Sequence, residues 1–210
     1  MNKFEQGITP EGGELPPITH PHFVLLLGVS GVGKSTLLHE LHQRDPRLEL
    51  NTVWTNRGSR EGDVGRKHLP DHAIDVLGRN GFILTDSPAY GNRYVIRRDE
   101  VERTLAGNRV PMQDYPISLV PEIQETGIPV LSVYVAPPGI AEWRQRLSSD
   151  GRDADGSRFA IGLQELKKLS ATGYQDPRID EVIINDRLEI AVPRLQSLIY
   201  RHVSKPPILR

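Results

Sequence analysis

The chain has 210 residues, of which 37% are hydrophobic and 25% are charged, and its formal net charge is −1. This length suits one compact domain, and the composition excludes a disordered acidic tail. The near-neutral charge excludes a basic nucleic-acid clamp, so no nucleic-acid partner is expected. The absence of cysteine excludes disulfides, thiolate zinc sites and cysteine nucleophiles.

The ends of the chain differ in composition from its middle. Residues 1–22 are rich in glycine and proline and lack apolar periodicity, which predicts a flexible extension, and residues 205–210 form a similar tail. The domain is expected at residues 23–204. The longest apolar run, Phe23–Leu27, is far shorter than the roughly 20 residues of a membrane helix, so we expect no leader, no membrane contact and a cytoplasmic location.

Short β-prone runs alternate with helical patterns along the domain. Strands are predicted, in chain order, at Phe23–Leu27, Leu48–Trp54, Phe82–Thr85, Val130–Val135 and Glu181–Asn185. Helices are predicted at Ser35–Arg44, Arg98–Ala106, Ile117–Thr126, Gly139–Ser148, around Phe159–Leu166 and from Leu188, the last capped by Asp186. Val110–Asp114 is a poor strand centre because Pro111 cannot donate a ladder hydrogen bond. The βαβα order predicts an α/β fold with a parallel sheet between helices.

The most specific motif directly follows the first predicted strand. Residues 28–36 read GVSGVGKST and match G-x-x-x-x-G-K-[ST], the pattern of a phosphate-binding loop. Its glycines let successive backbone N–H groups converge on phosphate oxygens, and the following helix adds partial positive charge. Lys34 can reach the β- and γ-phosphates of a nucleoside triphosphate, and the Ser35 hydroxyl can bind Mg²⁺. Such a loop serves ATPases, GTPases and kinases alike.

A second basic segment follows the second predicted strand. Residues 55–68 place Arg57, Arg60, Arg66 and Lys67 in a loop interrupted by glycines. Guanidinium groups bind phosphate oxygens in pairs, so this loop suits a second phosphate group. Taken alone, it is equally typical of a solvated loop.

The ordered set of motifs resembles the guanylate kinase family of P-loop nucleoside-monophosphate kinases. Those enzymes follow the phosphate-binding loop with T-x-R-x-x-R-x-G-[DE], which residues 55–63 match as TNRGSREGD. Their G-N-Y-Y-G and I-V-N-D-D-L stretches are matched by residues 91–95, GNRYV, and residues 183–188, IINDRL. Their strand, proline pair and R-L helix match Val133 to Leu147. The resemblance runs from about Phe23 to Tyr200.

The resemblance implies a P-loop three-layer fold with a parallel core sheet, a small acceptor-binding lobe near residues 55–97 and a helical lid near residues 148–160. It also implies an ATP-dependent phosphotransferase that uses ATP with Mg²⁺ and acts on a small phosphorylated molecule, as a monomer or homodimer. The ATP-binding residues would be Ser30, Gly31, Val32, Gly33, Lys34, Ser35, Thr36 and, beside the adenine, Asn185.

The same resemblance carries roles to further residues. The acceptor-binding residues would be Arg57, Arg60, His68, Asp86, Tyr94 and Asp114. Asp114 would also lie by the metal that Ser35 binds. Together with Lys34, the residues expected to neutralise the transferring phosphoryl group are Arg146, Arg152 and Arg158.

Departures from the family pattern fall mainly in the acceptor half and the lid. The glutamate that helps the family read guanine falls near Leu84 or Thr85, so Asp86 is the nearest carboxylate. The lid's R-G-[TS] becomes residues 150–152, DGR, and an arginine expected in the next helix falls near Gly162. Trp143 is predicted to be a packing residue. Donor binding is therefore expected to be intact and acceptor recognition altered.

Three hypotheses follow. The leading one is phosphoryl transfer from ATP to a nucleoside monophosphate, GMP or dGMP. The missing glutamate favours a relative that phosphorylates a sugar phosphate such as ribose 1,5-bisphosphate. The third is a non-catalytic guanylate kinase-like interaction module, which the intact Gly33-Lys34-Ser35 disfavours. The absence of an N-K-x-D segment disfavours a GTP switch.

Overall fold

The computed structural model describes residues 15–58, 65–89, 91–149, 153 and 155–204. Its strands are β1 (Phe23–Leu27), β2 (Leu48–Leu50), β3 (Val53–Thr55), β4 (Arg66–His68), β5 (Ile83–Ala89), β6 (Asn92–Arg97), β7 (Val110–Asp114), β8 (Val130–Ala136) and β9 (Glu181–Ile184). Its helices are α1 (Lys34–Arg44), α2 (Asp71–Arg79), α3 (Arg98–Ala106), α4 (Val120–Gln124), α5 (Ile140–Ser149), α6 (Ser157–Ala171) and α7 (Leu188–Val203), with a 3₁₀ turn at Ile117–Leu119.

The central sheet is parallel throughout, with strand order β2-β7-β1-β8-β9. Every residue of β1 is buried, as expected for the middle strand of a sheet that is covered on both faces. The predicted α/β fold with a parallel core sheet is confirmed. This order brings the carboxyl ends of β1, β7 and β8 to one edge of the sheet, where the phosphate-binding loop begins.

The expectation that Val110–Asp114 is a poor strand centre is wrong, because the segment forms β7 between β2 and β1. Val110 N–H donates to the Arg47 carbonyl, and the Met112 carbonyl accepts from Asn51 N–H, so both residues bond on the β2 side. Pro111 therefore faces the β1 side. The β1 register begins only at Met112, so the missing N–H costs no ladder bond there.

A second sheet, with strand order β4-β3-β6-β5, is formed by strands from the part of the chain predicted to be the acceptor-binding lobe. The single strand predicted at Leu48–Trp54 is in fact two strands: β2 joins the central sheet and β3 joins the second sheet. Asn51 lies between them, and its side-chain amide donates to Gln113 Oε1 of β7 at 2.6 Å. The single run that the sequence predicts as one strand therefore contains the point at which the chain passes from the central sheet to the second sheet.

The second sheet has two chemically different faces. Thr55 is paired with His68 on one side and with Tyr94 on the other, and Tyr94 is paired with Ser87, so these four side chains share one face. We call it the inner face, because its Ser87 hydroxyl meets α4 of the core. The neighbouring positions in each strand lie on the opposite, outer face.

Two local predictions need correction. The helix predicted at Ile117–Thr126 is a 3₁₀ turn followed by the short α4, which has Pro121 in its first turn. Asp186 does not cap α7 across a turn; its carboxylate accepts only from the adjacent Arg187 N–H, at 2.7 Å.

The chain before β1 is partly docked. Leu15 and Ile18 are buried, and the N–H groups of Thr19 and His20 both donate to the Val203 carbonyl at the end of α7. Residues 1–14 and 205–210 lie outside the described residues. Within the described part of the chain, no helix combines the length and apolarity that a bilayer crossing requires.

Candidate active site

The phosphate-binding loop joins β1 to α1 through three glycines with positive φ: Gly28 at 132°, Gly31 at 75° and Gly33 at 96°. A Cβ at Gly28 would lie 2.6 Å from the Val135 carbonyl oxygen, and one at Gly33 would lie 2.5 Å from Asn185 Nδ2. Both the backbone conformation and the space therefore require glycine. The motif spacing seen in the sequence corresponds to a tightly packed turn.

Lys34 is the first residue of α1, and its side chain folds back over the loop. Its ammonium donates to the carbonyls of Gly28 at 2.7 Å and Val29 at 3.1 Å. Burial lowers the pKa of Lys34, while the nearby carboxylates of Asp114 and Glu165 oppose that shift. A cation whose own solvation has been reduced, and which lies beside the loop, is suited to an incoming polyanion.

Asn185 and Arg146 form a support beneath the loop. The Asn185 side chain is buried and its Nδ2 donates to the Val32 carbonyl at 2.8 Å. Arg146 in turn donates to the carbonyls of Asn185 and Asp186, both at 2.8 Å. The structure thus brings both predicted site residues to the loop. There, their side-chain N–H groups donate to backbone carbonyls of the protein. An adenine contact of Asn185 and a phosphoryl contact of Arg146 stay predictions.

Trp143, on α5, is the functional candidate that the sequence reasoning missed. It is fully buried, and its indole N–H donates to the Ser30 carbonyl at 2.8 Å. Its ring stacks on Phe159 with centroids 4.8 Å apart. A Cβ at Gly162 would lie 2.8 Å from the indole, so the residue in place of the expected helix arginine is the one that makes room for it. A tryptophan in α5 together with a glycine where arginine was expected was the available signal.

The predicted lid is described only in part. Residues 150–152 and 154, and with them Arg152, lie outside the described residues. Asp153 accepts from the backbone N–H groups of Arg158 and Phe159, which fixes the start of α6. Arg158 is exposed and its guanidinium lies 3.5 Å from Ser30 Oγ, at the edge of hydrogen-bonding distance. Of the three predicted arginines, Arg158 is therefore seen at the mouth of the loop.

The acceptor candidates on the inner face are organised around Thr55. The Thr55 hydroxyl accepts from Arg57 N–H at 3.1 Å, and the His68 ring bonds the Arg57 carbonyl. Tyr94 is the β6 neighbour of Thr55. His68, Tyr94 and Arg57 are thus brought together where the basic loop leaves β3. Arg60 lies outside the described residues.

A group of hydroxyls lies where the inner face meets the end of β7. Thr85, Ser87 and Tyr115 are each 5% exposed. Among the described residues, no hydrogen bond of good geometry satisfies Thr85 Oγ1 or the Tyr115 hydroxyl, although the Thr85 and Ser87 side chains lie beside that hydroxyl; Ser87 donates to Glu122 at 3.4 Å. Burial raises the pKa of Tyr115, so it is a neutral donor at physiological pH. Asp114, next to Tyr115, ends β7 at the same edge.

Asp86 is separated from the other acceptor candidates. It alternates with Thr85 and Ser87 along β5 and therefore lies on the outer face. There it forms an ion pair with Arg93, which also bonds Asp75 of α2 at 2.7 Å. The hydrogen bonds that Arg93 donates to these two carboxylates raise its pKa. The structure does not bring Asp86 to the inner face, because a shift of one residue reverses the side of a strand.

Comparisons with known proteins identify the family of the chain. The sequence model described as guanylate kinase matches residues 20–202. A guanylate kinase of Ruegeria pomeroyi is 30% identical over 88% of this chain and 89% of its own, and one of Synechococcus sp. (strain JA-3-3Ab) is 28% identical over 88% and 85%. The crystal structure of guanylate kinase from Anaplasma phagocytophilum has the same fold, with a TM-score of 0.63 at 18% identity over 91% and 90% of the chains. The chain therefore belongs to the guanylate kinase family and is a phosphotransferase of the P-loop type.

Proposed function

We propose that this chain transfers the γ-phosphoryl group of ATP to a nucleoside monophosphate, and that GMP or dGMP is the acceptor to test first. The observation that carries the proposal is the braced loop. The carbonyls of Gly28, Val29, Ser30 and Val32 accept side-chain hydrogen bonds. When the carbonyls of such a loop are held outward, its backbone N–H groups point into the hollow of the loop, where they bind phosphate oxygens.

The donor site would hold MgATP through a small set of groups. The loop N–H groups and the start of α1 bind the phosphates, and Lys34 exchanges its bonds to the Gly28 and Val29 carbonyls for phosphate oxygens. Ser35, the second residue of α1, and Asp114 fit Mg²⁺, which takes one or two protein oxygens together with substrate phosphates. When bound, Mg²⁺ would neutralise charge on the phosphate chain.

Phosphoryl transfer requires little covalent participation by protein groups. An oxygen of the acceptor phosphate attacks the γ-phosphorus, the bond to the β–γ bridging oxygen breaks, and ADP leaves with that oxygen. An acceptor phosphate is already anionic, so no general base is needed. Lys34 and Arg158 would stabilise the charge that spreads over the moving group, and closure of the lid would exclude water.

The acceptor would lie between the inner face and the end of β7. Arg57, with the predicted partner Arg60, would bind its phosphate through charge-assisted bonds, and Tyr94 and His68 would complete that site. The hydroxyls of Thr85 and Tyr115 lie at the same junction without a hydrogen bond of good geometry among the described residues, and they would bond polar atoms of the base or sugar.

A second acceptor class is favoured by the Asp86–Arg93 ion pair. The carboxylate that was nearest to the missing guanine-reading glutamate is on the outer face and bound to Arg93. The inner face instead offers neutral hydroxyls, which suit the hydroxyl groups of a sugar phosphate. Ribose 1,5-bisphosphate is the representative of this class to be compared with GMP.

The test is an ADP-release assay with MgATP over a panel of nucleoside monophosphates, deoxynucleotides and sugar phosphates. We expect acceptor-dependent ADP release, with GMP or dGMP giving the highest kcat/KM. A higher kcat/KM for the sugar phosphate would replace the acceptor and keep the reaction. Binding of ATP with no acceptor turned over would favour the non-catalytic interaction module.

A further inference from the structure

An indole ring on α5 donates a hydrogen bond to the phosphate-binding loop. We propose that Trp143 is a positioning residue for this loop: its N–H fixes the Ser30 peptide in the orientation that receives phosphate. The inference rests on the proposed function, since it assigns a role in binding the donor. It goes beyond that function in naming a residue that need not touch the nucleotide.

The hydrogen bond from Trp143 sets the orientation of the Ser30 peptide. Trp143 is fully buried, and its Nε1 lies 2.8 Å from the Ser30 carbonyl oxygen. A peptide unit is planar, so fixing the Ser30 carbonyl also fixes the N–H of Gly31 on the other side of the same peptide. Gly31 has a positive φ of 75°, which this peptide orientation must accommodate. The indole therefore acts on a loop N–H without contacting it.

The packing around the indole keeps it in place. Phe159 stacks on one side of it at 4.8 Å, and Gly162 of α6 meets it so closely that a Cβ there would lie 2.8 Å away. The same hypothetical Cβ would lie 3.1 Å from Val29 Cγ1, so α6 also contacts the loop directly. These contacts hold the N–H in one position, and a donor held in this way loses little entropy on bonding.

Helix α5 also packs directly against the loop. A Cβ at Gly31 would lie 2.9 Å from Leu147 Cδ1, one turn along α5 from Trp143. Because the helix and the loop are in such close contact, a displaced indole would shift the loop rather than leave a solvent-filled gap. The effect of losing the Trp143 N–H should therefore appear in donor binding.

The main experiment compares Trp143→Phe with the unmodified chain by isothermal titration with MgATP in the absence of acceptor. Phenylalanine keeps an aromatic ring but removes the N–H and leaves the Ser30 carbonyl without this donor. We expect Kd for MgATP to rise by about 2- to 12-fold. The matched control is Trp54→Phe, which removes the other indole donor, bonded to Glu100 Oε2 at 3.0 Å. Its Kd should be unchanged.

Steady-state kinetics separate positioning from folding. A variant that merely folds less well lowers the apparent kcat and leaves both KM values as they were. A positioning role raises KM for MgATP and leaves KM for the acceptor unchanged. Thermal unfolding of each variant, measured in parallel, gives the folded fraction at the assay temperature.

A second variant tests the same contact from α6. Gly162→Ala retains Trp143 but adds a Cβ 2.8 Å from its ring, so it should displace the indole and raise Kd for MgATP in the same way. Gly78→Ala is the control, because a Cβ at that helical glycine meets only Ile83 Cδ1 at an ordinary 3.5 Å. It should leave Kd unchanged.

The outcomes are distinguishable. If the unmodified chain binds MgATP and both Trp143→Phe and Gly162→Ala bind it equally well, Trp143 is only a packing residue and the inference is overturned alone. If the unmodified chain does not bind MgATP at all, the proposed function is overturned and the inference with it. A higher Kd in both variants, with both controls unchanged, supports it.

Discussion

The donor and acceptor halves of the site hold their functional groups in different ways. On the donor side, the half-buried Lys34 and the buried Trp143 and Asn185 donate to backbone carbonyls of the loop, so its shape is set by main-chain geometry. On the acceptor side, the candidates are side chains on a small sheet, and the exposed His68 lies at its edge strand.

This difference sets different limits on substitution in the two halves. A substitution in the loop meets a steric limit, as the 2.5 Å distance from a Gly33 Cβ to Asn185 Nδ2 illustrates. A substitution on the small sheet changes which groups face the acceptor and leaves the backbone intact. The loop that binds the donor can therefore keep its shape while the groups that select the acceptor change. The KM for MgATP and the KM for the acceptor, measured in each variant, report on the two halves separately.

The largest effect is expected for Lys34→Ala. Loss of the ammonium should lower kcat by about 10²- to 10³-fold, because it removes a preorganised charge that stabilises the transition state. The ADP-release assay measures it, and Lys167→Ala, at an exposed position of α6, is the control. A nearly unchanged kcat would contradict the role assigned to Lys34 and, with it, the comparison of the halves.

The next largest effect is expected for Arg57→Ala, and for Arg60→Ala by the same reasoning. Loss of a charge-assisted bond to the acceptor phosphate should raise the acceptor KM by about 10- to 150-fold and leave KM for MgATP unchanged. Arg79→Ala, exposed at the end of α2, is the control. An unchanged acceptor KM would place the acceptor elsewhere.

Asn185→Asp tests the brace beneath the loop. The carboxylate keeps the shape of the amide but cannot donate to the Val32 carbonyl, and it is buried. We expect the free energy of unfolding to fall by about 1–3 kcal/mol and KM for MgATP to rise. Denaturant unfolding measures the first quantity. Asn80→Asp, at an exposed amide that bonds the Val76 carbonyl, should leave KM unchanged and lower the free energy of unfolding by less, because the new carboxylate stays in water. If Asn185→Asp alters only KM, Asn185 contacts the nucleotide rather than supporting the loop.

The smallest effect is expected for Arg93→Ala. Its ion pairs with Asp75 and Asp86 are solvent-accessible, so their loss should lower the free energy of unfolding by at most about 1 kcal/mol. Because these residues lie on the outer face, KM for the acceptor should not change. An increase in acceptor KM comparable to that of Arg57→Ala would mean that the outer face contacts the acceptor.

Local pattern was sufficient for the elements whose buried residues are close in sequence. The Phe23–Leu27 strand and the Arg98–Ala106 helix have the predicted bounds, since an apolar run and an amphipathic turn ended by Gly107 specify them locally. The phosphate-binding loop was equally predictable, because the positive φ angles of this short segment require glycine at fixed positions within it. The sequence by itself thus determined the α/β fold and the donor loop.

Pairings distant in sequence were decided only by tertiary structure. Pro111 fits inside the central sheet because the β1 ladder starts one residue later, and Asp86 faces away from Thr85 because the strand alternates. Trp143 reaches Ser30 across 113 positions, through space that Gly162 leaves open. Such contacts depend on which elements become neighbours, and a hydrogen bond between distant residues leaves no periodic trace in the sequence.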